Sequence, residues 1–180
     1  MLFCLPRSEL RSATGAVRKV TDKFMILFPH VLAGAALGSR IHNFAIIFIA
    51  ALTLHFFLDR LPHWEYTNLE LGKMNLREMP FFLFKAVLDF SFGIFLLWLF
   101  WPKLGSPIYV IFAVFVSLLP DGICFLYVII KILFKFEVKI LKKFYNLHHL
   151  IHGPKHKKSL FWELAIEGLT VIILLLFILY

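Results

Sequence analysis

His55, Asp59 and His63 recur at intervals of four, as do His148 and His152, so on a helix each set projects from one face. His30, Asp121 and His149 extend this pool of imidazoles and carboxylates in a chain that is otherwise dominated by apolar residues. Neutral imidazole combined with carboxylate, without thiolate, suits Zn²⁺, Mn²⁺ or Fe²⁺ better than a structural zinc–cysteine site. Taken singly, each residue has a plainer role. A lone membrane histidine can serve as a hydrogen bonder between helices. His148, His149, His152 and His156 can belong to a solvated loop, and Asp59 can pair with Arg60 at a helix end. A shared depth is what would make them one site.

The elements that must position these residues are membrane helices. The 180-residue chain is 61% hydrophobic and holds 22 phenylalanines, well above the roughly 45–50% apolar content of soluble domains. The predicted fold is an all-α polytopic bundle of about five hydrophobic helices plus a basic amphipathic interfacial helix. The expected spans are about 24–39, 43–60, 80–101, 106–120 and 160–180, in one membrane domain (24–180) that follows a basic segment, 1–23. The first span is marginal against the ~20 residues a crossing needs, and its Gly34 and Gly38, in G-x-x-x-G spacing, favour close helix packing. Ala36-Leu37-Gly38 weakly matches a signal-peptidase site, but Pro29-His30 interrupts the apolar core and cleavage is not expected.

With the N-terminus inside, sixteen of the nineteen Lys and Arg fall on the cytoplasmic side, which the positive-inside rule favours and which leaves the C-terminus outside. This asymmetry, together with an anionic phospholipid surface as partner, accounts for the net charge of +8 without nucleic-acid binding. His30 then lies about 9 Å inside the cytoplasmic start of the first span. His55 and Asp59 fall in the last turns of the second, with His63 just beyond. Asp121, after Pro120 and before Gly122, reads as a turn that closes the fourth span. Lys131, Lys135, Lys139 and Lys142 then mark an amphipathic helix of about 123–147 lying along the membrane face, after which His148 and His152 arrive. All of these groups are expected in one cytoplasm-facing layer.

Other charges fall within the spans. Lys85 and Asp89, four apart, can neutralise each other. Glu163 and Glu167 occupy the first turns of the last span, and the deeper Glu167 is the candidate general base or outer-shell carboxylate. Cys4 and Cys124 suggest no disulfide framework.

The order FPHVLAGAALG, LHFFLDRLPHW, LLPDG and HHLIH before a final hydrophobic helix resembles a family of uncharacterised prokaryotic membrane-bound metal-dependent hydrolases. The resemblance runs from about residue 29 to 170, and HFFLDRLPH and LPD are its most specific parts; HHLIH departs from those relatives in lacking an arginine. It implies His30, His55, Asp59, Asp121, His148 and His152 as ligands of a divalent metal, with Asp121 also acting in the chemistry. It implies metal-assisted hydrolysis, and the location at a lysine-ringed membrane face suggests a lipid or lipid-linked phosphoester. Non-enzymatic alternatives are a metal-ion or proton carrier, a haem protein clasped by His30 and His55, and a membrane adaptor.

Overall fold

The computed structural model describes residues 27–61, 76–152 and 160–180, apart from the side chains of His152 and Leu160. The basic segment 1–23, the start of the first expected span, His63 and His156 lie outside the described residues. Within them all regular structure is helical: α1 (Phe28–Arg40), α2 (Phe44–Leu58), α3 (Met79–Phe100) with a short 3₁₀ turn at Trp101–Lys103, α4 (Pro107–Phe134), α5 (Lys139–His152) and α6 (Leu160–Leu179).

Three helical segments are long and apolar enough to cross a membrane: Met79–Lys103, Pro107–Phe134 and Phe161–Leu179. α1 and α2, the other two expected spans, are shorter, so about five spans is not confirmed. At 13 and 15 residues they rise only about 20 and 22 Å, short of a ~30 Å hydrocarbon core. Local chemistry sets their ends. Pro29 opens α1, where a missing N–H costs nothing. Asn43 caps α2 by accepting from the amides of Ala45 (3.0 Å) and Ile46 (3.1 Å). Asp89, on α3, caps α1 from a distance: its carboxylate accepts from the backbone N–H groups of Leu27 and Phe28, where the helix dipole favours negative charge. That role was not foreseen from the Lys85/Asp89 spacing.

α1 is the centre of the bundle, with α2, α3, α4 and α6 packed around it. Residues Pro29 to Ala36 of α1 are all buried. Its approach to α4 depends on glycine: a Cβ on Gly34 would stand 2.5 Å from Val114 Cα, and one on Gly38 2.5 Å from Val110 Cα. The expected small-residue seam is therefore present, and it sets an antiparallel register between the two helices. Val31, Leu32, Val110, Val114, Leu174 and Ile178 form the apolar cluster on this half of the bundle. Arg40 donates to the Phe177 carbonyl at 3.0 Å, so the C-terminal ends of α1 and α6 share one level.

The region after Pro120 corrects the expected architecture. α4 does not stop at Asp121 but runs 28 residues through Pro120 and Gly122 to Phe134. A proline inside a helix removes one backbone bond, and here burial of Pro120, Cys124, Tyr127 and Val128 along one stripe outweighs that loss. The chain then reverses at Lys135, in the left-handed region at φ 52°, and α5 begins at Lys139. The expected amphipathic helix of about 123–147 is thus two elements, and α5 packs against α4. Met79, Phe82, Cys124, Tyr127, Val128 and Tyr145 form a second apolar cluster at this hairpin. Glu137 ties its tip, pairing with Lys142 and with Lys131 at 3.5 Å and accepting from the Tyr127 hydroxyl at 3.3 Å.

Candidate metal centre

Five of the sequence-predicted residues meet between the two apolar clusters. His30 and His55 are 0% exposed, Asp59 2%, and Asp121 and His148 4% each. His30 and His55 come from α1 and α2, Asp59 from the C-cap position of α2, Asp121 from α4 and His148 from α5. The short helices make this possible: α2 ends at the site, so Asp59 follows His55 by one turn and both point inward. Asp121 lies mid-helix, 14 residues or about 21 Å along α4, which continues to Phe134. His148 sits on α5, not after it, because the α4–α5 hairpin returns the chain to the level of Asp121.

The Asp59 carboxylate organises the cluster. Its Oδ1 lies 3.3 Å from His30 Nε2, and its Oδ2 lies 3.2 Å from both His55 Nε2 and His148 Nε2. His148 Nε2 is also 3.6 Å from Asp121 Oδ1 and 3.2 Å from His55 Nε2. A tetrahedral ion with ligand bonds of ~2.0–2.1 Å separates its ligand atoms by about 3.3–3.4 Å. The observed spacings of 3.2–3.6 Å straddle that value. Among the described residues, His30–His55–Asp59 and His55–Asp121–His148 are the two groups whose ligand atoms converge closely enough to hold a metal ion. Two buried carboxylates also demand compensating positive charge, which a divalent cation supplies.

Other groups steady the ligands. Arg60 Nε donates to the Ile151 carbonyl at 3.2 Å, tying the end of α2 to the end of α5 beside His148. The Ser117 main chain lies against the His55 ring. It belongs to the turn where Pro120 has no N–H to give to the Val116 carbonyl. His148 also stacks on Phe144, and His149 meets the edge of Tyr145 at 4.2 Å between centroids. His149 thus packs on the neighbouring face of α5 and is not in the ligand groups.

The structure places the remaining candidates as follows. His152 ends α5, with its side chain outside the described residues. Glu167 is half-buried on α6 and lies in the stripe with Val171, Leu174 and Ile178 that faces α1. It is ten residues before Phe177, as His30 is ten before Arg40, so the two stand at the same level, about 15 Å from those ends. Sequence reasoning missed one polar group in this layer: Ser117, fully buried one turn before Asp121. Its signal was available, as the one aliphatic hydroxyl in the apolar run that leads to Pro120. Compared with protein-family models, with curated proteins and with solved structures, the chain finds no match.

Proposed function

We propose that this chain is a membrane-embedded, metal-dependent hydrolase working at the cytoplasmic membrane face on a lipid or lipid-linked phosphoester. The observation that carries the reading is the Asp59 carboxylate surrounded by His30, His55 and His148 at 3.2–3.3 Å, with Asp121 beside it. His55, His148, Asp59 and Asp121 would hold the ion, and His30 would steady or extend the set through the other Asp59 oxygen. A divalent ion supplies a lowered water pKa and polarisation of the scissile oxygen. Glu167, level with His30 on α6, is suited to carry protons between the centre and its surroundings. The motifs HFFLDRLPH and LPD point the same way.

The substrate class rests on charge and place. Lys131, Lys135, Lys139, Lys142 and Lys143 surround the hairpin tip, where they attract phosphate and anionic headgroups. Exposed Phe134, Phe136 and Ile140 lie among them and suit an acyl-chain environment. The positive-inside rule assigns this end of the bundle to the cytoplasm and Tyr180 to the opposite side.

The test is phosphate release from a panel of membrane phosphoesters by purified protein loaded with Zn²⁺ or Mn²⁺. Wild type should release phosphate, and Asp121→Asn should keep the fold while losing orders of magnitude in rate. Inactivity of both across the panel, with no metal retained by either, would end the hydrolase reading.

One observation favours a second reading. No ligand is more than 4% exposed, and a centre so enclosed also suits a metal-ion carrier seen between its open states. Metal uptake into proteoliposomes without phosphoester turnover distinguishes the carrier from the enzyme.

A further inference from the structure

Ser117 is 0% exposed, and its hydroxyl has no hydrogen-bond partner among the described residues. A buried hydroxyl left in this state costs roughly 1–3 kcal/mol. A helical hydroxyl usually avoids the cost by bonding back to a carbonyl in its own preceding turn. Three others in this chain do so: Ser39 to Ala36, Thr53 to Ile49 and Thr170 to Ile166, each at 2.8 Å. Ser117 has the same option and leaves it unused.

Its position explains why. Val110, Val114, Ser117, Asp121, Cys124 and Val128 form one buried stripe along α4, so Ser117 and Asp121 project from the same face one turn apart. Gly38 packs on Val110 and Gly34 on Val114. One turn further along this antiparallel seam, Ser117 stands level with His30 and Val31. On its other side the Ser117 main chain lies against His55. The hydroxyl therefore sits on the α1-facing wall of the ligand cluster, among residues that bring imidazole nitrogens and carboxylate oxygens but no other hydroxyl.

From this geometry we infer that Ser117 Oγ is the hydrogen-bond partner of the exogenous oxygen ligand of the metal centre, whether a water or an oxygen of the substrate. The inference rests on the metal reading above and assigns a positioning role that the His/Asp set leaves open. A hydroxyl suits the role because it both donates and accepts, and so holds that oxygen in either protonation state. Partners of this kind around a metal are typically worth 10–100-fold in metal affinity.

The experiment uses the full chain in detergent, with Zn²⁺ affinity measured by competition against a chromophoric chelator. Ser117→Ala should weaken Zn²⁺ binding about 10–100-fold, while thermal stability of the metal-free protein stays level or rises because an unsatisfied hydroxyl is gone. Ser117→Thr, which keeps the hydroxyl, should retain most of the wild-type Zn²⁺ affinity. Wild-type affinity in Ser117→Ala, a lower metal-free stability in that variant, or a loss in Ser117→Thr as large as in Ser117→Ala would each overturn the assignment and leave the metal centre standing. Failure of wild type to bind Zn²⁺ at all would overturn both.

Discussion

His55 and His148 are 93 residues apart in the chain, yet their buried Nε2 atoms stand 3.2 Å from one another. Two imidazole nitrogens at that distance either share one proton or present two lone pairs to one cation. With the Asp59 carboxylate 3.2 Å from both, a cation would offset the charge of the site and use both lone pairs.

Removing either imidazole should therefore remove the metal. We expect His55→Ala and His148→Ala to lower Zn²⁺ affinity by at least ~100-fold, more than the loss of an outer-shell partner. His42→Ala serves as the control. Its exposed ring packs on Tyr109 at 5.1 Å, at the end of the bundle away from the cluster. Elemental analysis of the three purified variants checks this, and equal metal in all three would contradict it.

Metal should also hold the fold together, because its ligands come from four helices. At a free Zn²⁺ concentration 100 times the dissociation constant, the native state gains about 2.7 kcal/mol. A chelator should accordingly lower the unfolding temperature of wild type and leave that of Asp59→Asn unchanged. Thermal unfolding in detergent, with and without chelator, reads both.

The seam between α1 and α4 makes opposite forecasts for two glycines. Gly34→Ala forces a methyl to within 2.5 Å of Val114 Cα, and such overpacking costs about 1–3 kcal/mol. Gly122→Ala, which meets nothing within 4 Å, should stabilise α4 by about 0.5–1 kcal/mol through helix propensity alone. Unfolding midpoints of the two variants should move in opposite directions from wild type.

The cap on α1 is separable from the site. Asp89→Ala should cost about 1 kcal/mol by leaving the Leu27 and Phe28 amides without their acceptor, and Asp89→Asn should recover most of it. Zn²⁺ affinity should survive in both; a loss of metal would show that Asp89 acts on the centre as well.

Acid should open the hairpin tip. A hydrogen bond from Lys142, with further help from Lys131, holds the Glu137 carboxyl below the usual carboxylate range. A depressed carboxyl adds stability that is present above its unfolded value and lost as pH falls through the folded one. For Lys142, raised chiefly by Glu137, the same contact is lost as pH rises through its folded value. The tip should stay closed between those limits, and Glu137→Gln should abolish the acid-side dependence. A nitroxide pair at the exposed positions Leu133 and Ile140 reports the distance across it.

The residues of the cluster were legible in the sequence because their chemistry is local: intervals of four, and polar types that an apolar chain tolerates at a cost. Their convergence was legible through helical rise, which put His30, His55 and Asp59 at one depth. The path of the chain after Pro120 was not. Pro120-Asp121-Gly122 has turn chemistry, yet the buried stripe running on through Cys124, Tyr127 and Val128 keeps the helix intact. Whether an amphipathic segment lies on lipid or on a partner helix is a tertiary fact, so the docking of α5 on α4 had no local signature. Asp89 was read against Lys85 because i,i+4 spacing is visible in a sequence, whereas a cap 61 residues away is not.

The apolar cluster above the centre also has an electrical meaning. Val31, Leu32, Val110, Val114, Leu174 and Ile178 carry no ionisable group, and α1 and α4 approach closely at Gly34 and Gly38. A titratable cluster deep in a bilayer is otherwise half of a proton leak. If the bundle spans as proposed, much of the transmembrane voltage would drop across this cluster, and each elementary charge moved through the full voltage would encounter about 2.3 kcal/mol per 100 mV. In the proposed orientation protons and cations would reach the centre from one compartment, and the gradient the membrane maintains would not discharge through it.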